Sequence, residues 1–173
     1  MNLPIFLIGF MGSGKTTLGR KLANHLQKDF IDLDQLIVQR VGMSIPEYFE
    51  RNGEDQFRIL ESQILKEQTA ANVVISTGGG SPCYFDNMEW ILTHGTAVYL
   101  HLTPKALHAR LQQSKISNRP ALKGLSGEEL LQFIEEKLAE REPFYTRAHL
   151  HIDQLNTSVE TLSKALQKYA TPD

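Results

Sequence analysis

Short apolar runs alternate along the chain with longer segments in which apolar residues recur three and four positions apart. The runs lie at residues 5–8, 30–33, 73–75, 97–102 and 149–152, and their length and near-continuous apolarity suit strands buried on both faces. Strands separated by helical segments predict a parallel sheet wrapped by helices. Helix starts are marked as well. Ser44-Ile45-Pro46-Glu47, Ser126-Gly127-Glu128-Glu129 and Thr157-Ser158-Val159-Glu160 each fit a capping box, in which a hydroxyl accepts an N–H of the first turn and the acid returns a bond to the cap. Thr103-Pro104 pairs a cap with a proline at the first helical position, where the missing N–H costs nothing. No repeat, low-complexity tract or shift of composition divides the chain, so residues 1–173 are expected to form one domain. Residues 114–127 are the one long irregular stretch.

Composition narrows the function classes. With 18 Lys and Arg against 20 Asp and Glu the formal charge is −2, so any grip on phosphate must be local, and nucleic acid is not an expected partner. The apolar run at the N-terminus lacks a basic flank and ends in a glycine-rich turn, which reads as a strand and not a signal peptide. No apolar stretch approaches the roughly 20 residues of a membrane span, so no membrane partner is expected. Cys83 stands alone and has no internal disulfide to form, and a cytoplasmic monomer is expected. The six histidines show no paired ligand spacing that would suggest zinc, while Cys83, Trp90, Phe49 and Phe57 read as core or pocket wall. One segment departs from the neutral average. From residue 90 to residue 127 there is no Asp or Glu, yet the segment carries Lys105, Arg110, Lys115, Arg119 and Lys123. The three lysines fit a solvated loop, whereas Arg119, just before Pro120, is the candidate for a cationic group that closes over phosphates.

The strongest chemical signal is Gly9-Phe10-Met11-Gly12-Ser13-Gly14-Lys15-Thr16, a G-x-x-x-x-G-K-[ST] sequence lying between an apolar strand and an amphipathic helix. Its glycines allow successive N–H groups to point at phosphate oxygens, Lys15 reaches the outer phosphates, and Thr16 offers a hydroxyl to Mg²⁺. Gly12, Ser13, Gly14, Lys15, Thr16 and Thr17 are therefore expected to bind a nucleotide. No Asn-Lys-x-Asp sequence occurs, which favours ATP over GTP. The run 73–75 continues into Ser76-Thr77-Gly78-Gly79-Gly80 and not into an acid, so the metal's carboxylate must come from elsewhere. Asp32-Leu33-Asp34 supplies it if two acids two apart on a strand end point the same way: Asp32 toward Mg²⁺ and Asp34 toward a substrate hydroxyl. A capped turn opening the next helix is the alternative reading of the same pair.

Taken together, these motifs resemble those of the shikimate kinases, from the P-loop to the last helix. Besides the P-loop and Asp32-x-Asp34, the stretch Gly53-Glu54-Asp55-Gln56-Phe57-Arg58-Ile59-Leu60-Glu61 resembles the family's G-E-x-x-F-R-x-x-E, and Thr77-Gly78-Gly79-Gly80 resembles its triple-glycine strand end. Asn118-Arg119-Pro120-Ala121-Leu122 resembles the lid, and Arg141-Glu142-Pro143-Phe144-Tyr145 resembles the arginine-x-x-x-tyrosine segment. The resemblance implies a three-layer α/β/α sandwich of P-loop type around a five-stranded parallel sheet, with a mobile lid at about 112–125 and a substrate-binding helical segment at about 34–61. It implies transfer of the γ-phosphoryl group of ATP, with Mg²⁺, to the 3-hydroxyl of shikimate, in the chorismate branch of aromatic amino acid biosynthesis. Lys15, Asp34 and Arg119 would be catalytic, with Arg110 and Arg119 flanking the nucleotide. Asp34, Arg58, Gly78, Gly79, Gly80 and Arg141 would bind shikimate, and Glu61, three residues after Arg58, would hold its guanidinium.

Charge agrees with this assignment, since a small hydroxylated carboxylic acid needs planar cationic forks and Arg58 and Arg141 offer two. Each also fits a structural role, Arg58 paired with Glu54 or Glu61 on a helix surface and Arg141 capping a helix end before Pro143. The chain departs from the family after the last strand, where an aspartate-threonine stretch often contributes to the adenine pocket and this chain reads Ile152-Asp153-Gln154-Leu155-Asn156-Thr157; Gln154 and Leu155 weaken a side-chain role toward adenine. Two other classes stay open from sequence alone: a related kinase for a different acceptor such as gluconate, and a nucleotide-binding regulatory protein without a small acceptor.

Overall fold

The computed structural model describes residues 3–113, 122 and 124–170. Five strands, β1 (Ile5–Ile8), β2 (Asp29–Asp32), β3 (Val73–Ser76), β4 (Thr96–His101) and β5 (Leu150–Asp153), form one parallel sheet in the order β2-β3-β1-β4-β5. Seven helices are seen among the described residues: α1 (Lys15–Leu26), α2 (Leu33–Val41), α3 (Ile45–Lys66), α4 (Asn87–His94), α5 (Pro104–Gln113), α6 (Gly127–Tyr145) and α7 (Val159–Ala170). A short 3₁₀ turn covers Ser81–Cys83.

Alternation along each strand explains the three layers. Phe6 and Ile8 of β1 face a core shared with Ile75, Ala97 and Tyr99, packed under Leu33 and Ile37 of α2, Phe57 and Ile64 of α3, Ile91 of α4, Leu107 of α5 and Ile134 of α6. Ile5 and Leu7 face the other way, into a smaller core with Val74, Val98, Leu100 and Ile152 beneath Leu18 and Leu22 of α1 and Leu162 and Leu166 of α7. Strands apolar on both sides are what such a sandwich requires.

Four local expectations are revised. The second apolar run ends one residue earlier than its pattern indicated, because the Asp32 side chain accepts from the N–H groups of Asp34 and Gln35 (3.1 and 3.3 Å) and so starts α2 at Leu33. Asp32 and Asp34 are thus a cap and a first-turn residue, not two positions of one strand. Ser44 and Glu47 form the full capping box, and Thr103 accepts from Ala106 N–H at 3.3 Å. At α6, however, Ser126 makes no side-chain cap bond, and at α7 the cap is Ser158, which accepts from Thr161 N–H at 3.1 Å, one residue after the expected Thr157. Finally, Pro143 lies inside α6, so Arg141 is not a terminal cap.

β1 is flanked by β3 on one side and β4 on the other, and the chain changes direction of winding there. The carboxyl ends of these strands open a crevice at that switch point, where ligands of such sheets bind.

Candidate active site

A cleft of about 860 Å³ occupies this crevice. Around it the structure places Gly12, Gly14, Lys15, Thr16, Thr17, Asp32, Asp34, Arg58, Glu61, Gly78, Gly79, Gly80, Arg110 and Arg141. Ser13 is fully buried and is not among the residues that line the cleft. Arg119 and most of the expected lid, residues 114–121 and 123, lie outside the described residues.

The nucleotide end is built by the loop after β1. Gly12 and Gly14 have φ of 80° and 88°, a left-handed conformation that lets the loop curl back without a side chain in the way. Gly14 is also the N-cap of α1 and supplies no side-chain cap bond, which leaves first-turn N–H groups as donors for an anion. The Lys15 ammonium donates to the carbonyls of Gly9 and Phe10 at 2.8 and 2.9 Å, inside its own loop. Thr16 Oγ1 donates to Asp32 Oδ2 at 2.6 Å. Beside the loop, Arg110 Nη2 donates to Gln154 Oε1 at 2.5 Å, and its Nη1 lies 3.5 Å from the Gly12 carbonyl. Gln154, which reads in sequence only as a departure, is therefore a wall of the nucleotide end; a Cβ on Gly14 would sit 2.9 Å from its Nε2.

The acceptor end is built by α2, α3, the turn after β3 and α6. Arg58 Nη1 donates to Glu61 Oε2 at 2.8 Å, and Ser81 Oγ donates to Glu61 Oε1. Glu61 is 1% exposed. The network continues through Asn87, whose Nδ2 donates to the Ser81 carbonyl at 2.8 Å and whose Oδ1 accepts from Ser62 at 2.6 Å. A buried carboxylate satisfied on both oxygens is a rigid bracket for the guanidinium. Arg58 also lies 4.3 Å from the ring centre of Tyr84.

The triple glycine is explained by space. None of Gly78, Gly79 and Gly80 has a positive φ. A Cβ on Gly78 would lie 2.6 Å from Glu61 Oε1, and one on Gly80 would lie 2.8 Å from Arg58 Nη1. The glycines thus admit the arginine and its bracket to the strand end, whereas the family resemblance implied a role for them in binding the substrate itself. Next to them, Tyr145 Oη donates to the Gly79 carbonyl at 2.5 Å. Arg141 lies over the ring of Phe10, 5.4 Å from its centre, and its buried Nη1 has no hydrogen-bond partner among the described residues.

Asp34 lies between the two ends. Its side chain is open to the cleft, but protein surrounds the cleft closely, and the poor hydration raises its pKa to about 6; the Glu61 and Asp32 charges add to this, while Lys15 and Arg58 oppose it. Burial similarly pushes the Cys83 thiol up to about 11, which makes it a poor nucleophile. Glu54, Tyr84, Phe133 and Lys137 also line the cleft, and sequence reasoning assigned none of them to the site. Glu54 was visible inside the G-E-x-x-F-R stretch; Tyr84 carried no signal.

A phosphate-binding loop, a hydroxyl–carboxylate pair beside it, and a cationic pocket across one aspartate define a P-loop phosphotransferase for a small anionic acceptor. A family profile described as shikimate kinase matches residues 11–170. The shikimate kinase of Parabacteroides distasonis is 45% identical over 95% of this chain and 97% of its own. The crystal structure of shikimate kinase from Bacteroides thetaiotaomicron has a TM-score of 0.89 at 42% identity, covering 95% of this chain and 98% of that one. Shikimate kinase from Acinetobacter baumannii, in complex with shikimate, has a TM-score of 0.85 at 34% identity, covering 97% and 92%. The chain belongs to the shikimate kinase family. Among the described residues no helix is long and apolar enough to cross a membrane.

Proposed function

We propose that the protein transfers the γ-phosphoryl group of ATP to the 3-hydroxyl of shikimate, giving shikimate 3-phosphate and ADP. The observation that carries this reading is the buried, unpartnered Nη1 of Arg141, beside a glycine turn that also admits Arg58. An unpaired buried guanidinium nitrogen is costly unless an anion completes it, and two forks on one turn suit a carboxylate. The ring hydroxyls then face Asp34 and the nucleotide end.

Lys15 exchanges its loop carbonyls for β and γ oxygens, and the first-turn amides of α1 receive the phosphates. Asp34 accepts a hydrogen bond from the acceptor hydroxyl and takes its proton as the new O–P bond forms and the bond from the β–γ bridging oxygen to the γ phosphorus breaks, releasing ADP. Arg110, bracketed by Gln154, flanks the nucleotide, and Arg119 carries the lid role implied by the family resemblance. Thr16 and Asp32 fit Mg²⁺: two hard oxygen ligands 2.6 Å apart leave the other positions to phosphates and water, as that ion prefers. The ion would neutralise charge on the β and γ oxygens. Single-domain organisation over residues 1–173 and a monomeric, cytoplasmic enzyme complete the proposal.

The test is Arg141→Ala. Losing one charge-assisted fork is expected to raise the KM for shikimate by about tenfold to a hundredfold, with the KM for ATP within about twofold of the parent. Equal changes in both constants, or none, would contradict the assignment.

A further inference from the structure

Glu54 touches the same guanidinium as Glu61 but is held quite differently. Its Oε1 accepts from both Nε and Nη2 of Arg58, at 3.3 and 3.1 Å, and from the hydroxyl of Tyr84 at 3.0 Å. The Nε–Nη2 edge is one that a carboxylate takes with two parallel bonds. Glu61 holds Nη1 from the buried side and is itself bonded to Ser81, so it is part of the framework. Glu54 has a side chain 53% exposed on the cleft wall, and among the described residues its hydrogen bonds run to Arg58 and Tyr84.

Charge points the same way. The cleft lining holds Lys15, Arg58, Arg110, Lys137 and Arg141 against Asp32, Asp34, Glu54 and Glu61, and it becomes more positive by one charge if Glu54 withdraws. Although partial burial works against its charge, the Tyr84 hydroxyl and Arg58 keep the Glu54 carboxyl below its ordinary value, with the field of Arg141 adding to them. Glu54 is therefore an anion at neutral pH, seated at the fork where the acceptor's carboxylate is expected.

We propose that Glu54 is an internal competitor for Arg58, displaced by the acceptor's carboxylate, and so a residue that sets how much further contact an acid must make before it binds. This rests on the acceptor reading given above. An anion that reaches only Arg58 must expel Glu54 for a single fork's gain. An acid that spans Arg58 and Arg141 and places a hydroxyl at Asp34 offsets the same loss with further contacts. The cost of displacing Glu54 is the same for every carboxylate, so it acts as a threshold that only an acid with further contacts clears. Tyr84 sets the strength of the competitor by holding its oxygen in place.

Steady-state kinetics of Glu54→Gln and Tyr84→Phe test the proposal, with benzoate as a plain carboxylate inhibitor. For Glu54→Gln the KM for shikimate is expected to fall by roughly two- to fivefold, the scale of one half-exposed ion pair, with the KM for ATP unmoved and the inhibition constant of benzoate lowered by a similar factor. Tyr84→Phe is expected to shift both in the same direction by less, and it stands in if Glu54→Gln melts at a lower temperature than the parent. A KM for shikimate that rises or stays fixed, or that moves together with that for ATP, would overturn the proposal. If the parent enzyme shows no shikimate-dependent ADP release, it is the acceptor reading that fails.

Discussion

Asp34 sits where its ionisation decides whether the acceptor hydroxyl meets a base. With a pKa raised to about 6 by the enclosing cleft, the carboxylate form grows as pH rises through that value and is lost as pH falls below it. The free-enzyme profile of kcat/KM for shikimate is therefore expected to climb from pH 5 to about pH 7 and then level. Asp34→Asn should abolish that limb and lower kcat by about 100-fold or more. A variant that kept most of its turnover would show that the side chain orients the hydroxyl without taking its proton. Residue chemistry of this kind was legible where it is local: Lys15, Thr16 and the loop glycines carry their purpose in their spacing. It was partly legible for Arg58 and Glu61, whose three-residue separation on a helix predicted the ion pair that forms at 2.8 Å. It was not legible for the pairing of Arg110 with Gln154, which meet across 44 positions, nor for what Gly78 and Gly80 make room for, the side chains of Glu61 and Arg58 from another element.

At the scale of elements, α3 shows how a backbone break aims a site. Gly53 interrupts it with φ 80° and ψ 170°, so the stretch that carries Glu54, Arg58 and Glu61 starts a new helical direction toward the turn after β3. That conformation is essentially confined to glycine, yet no atom lies within 4 Å of a Cβ built there. Gly53→Ala is thus expected to destabilise the fold by about 1–3 kcal/mol through backbone strain alone, read as a shift of the urea midpoint at constant slope. A change within error of zero would show that the break is soft. Sequence showed the glycine but gave helical period on both sides of it, so one continuous helix and two angled ones looked alike. The start of α2 was similarly ambiguous. An Asp-x-Asp after an apolar run fits a strand end or a cap, and the decision lay with backbone N–H groups that Asp32 satisfies at 3.1 and 3.3 Å. Where a hydroxyl and an acid both close on the backbone, as at Ser44 and Glu47, the box was readable; at Ser126 the pattern was present without the bond.

For the whole molecule, the sandwich was readable because strands apolar on both faces leave few other arrangements, and the order β2-β3-β1-β4-β5 gathers at one crevice motifs that are far apart in the chain. That gathering is the central claim: one cleft holds a nucleotide end and an acid-recognising end on either side of Asp34. Neither end alone makes a kinase for a small acid, and a P-loop protein lacking the second end would hydrolyse or hold its nucleotide regardless of acceptor. The direct test is ADP release by the purified protein with MgATP, alone and with shikimate, quinate or gluconate. Release is expected to be slow without acceptor and strongly stimulated by shikimate, with gluconate inert. Equal stimulation by gluconate, or release indifferent to every acid, would contradict it.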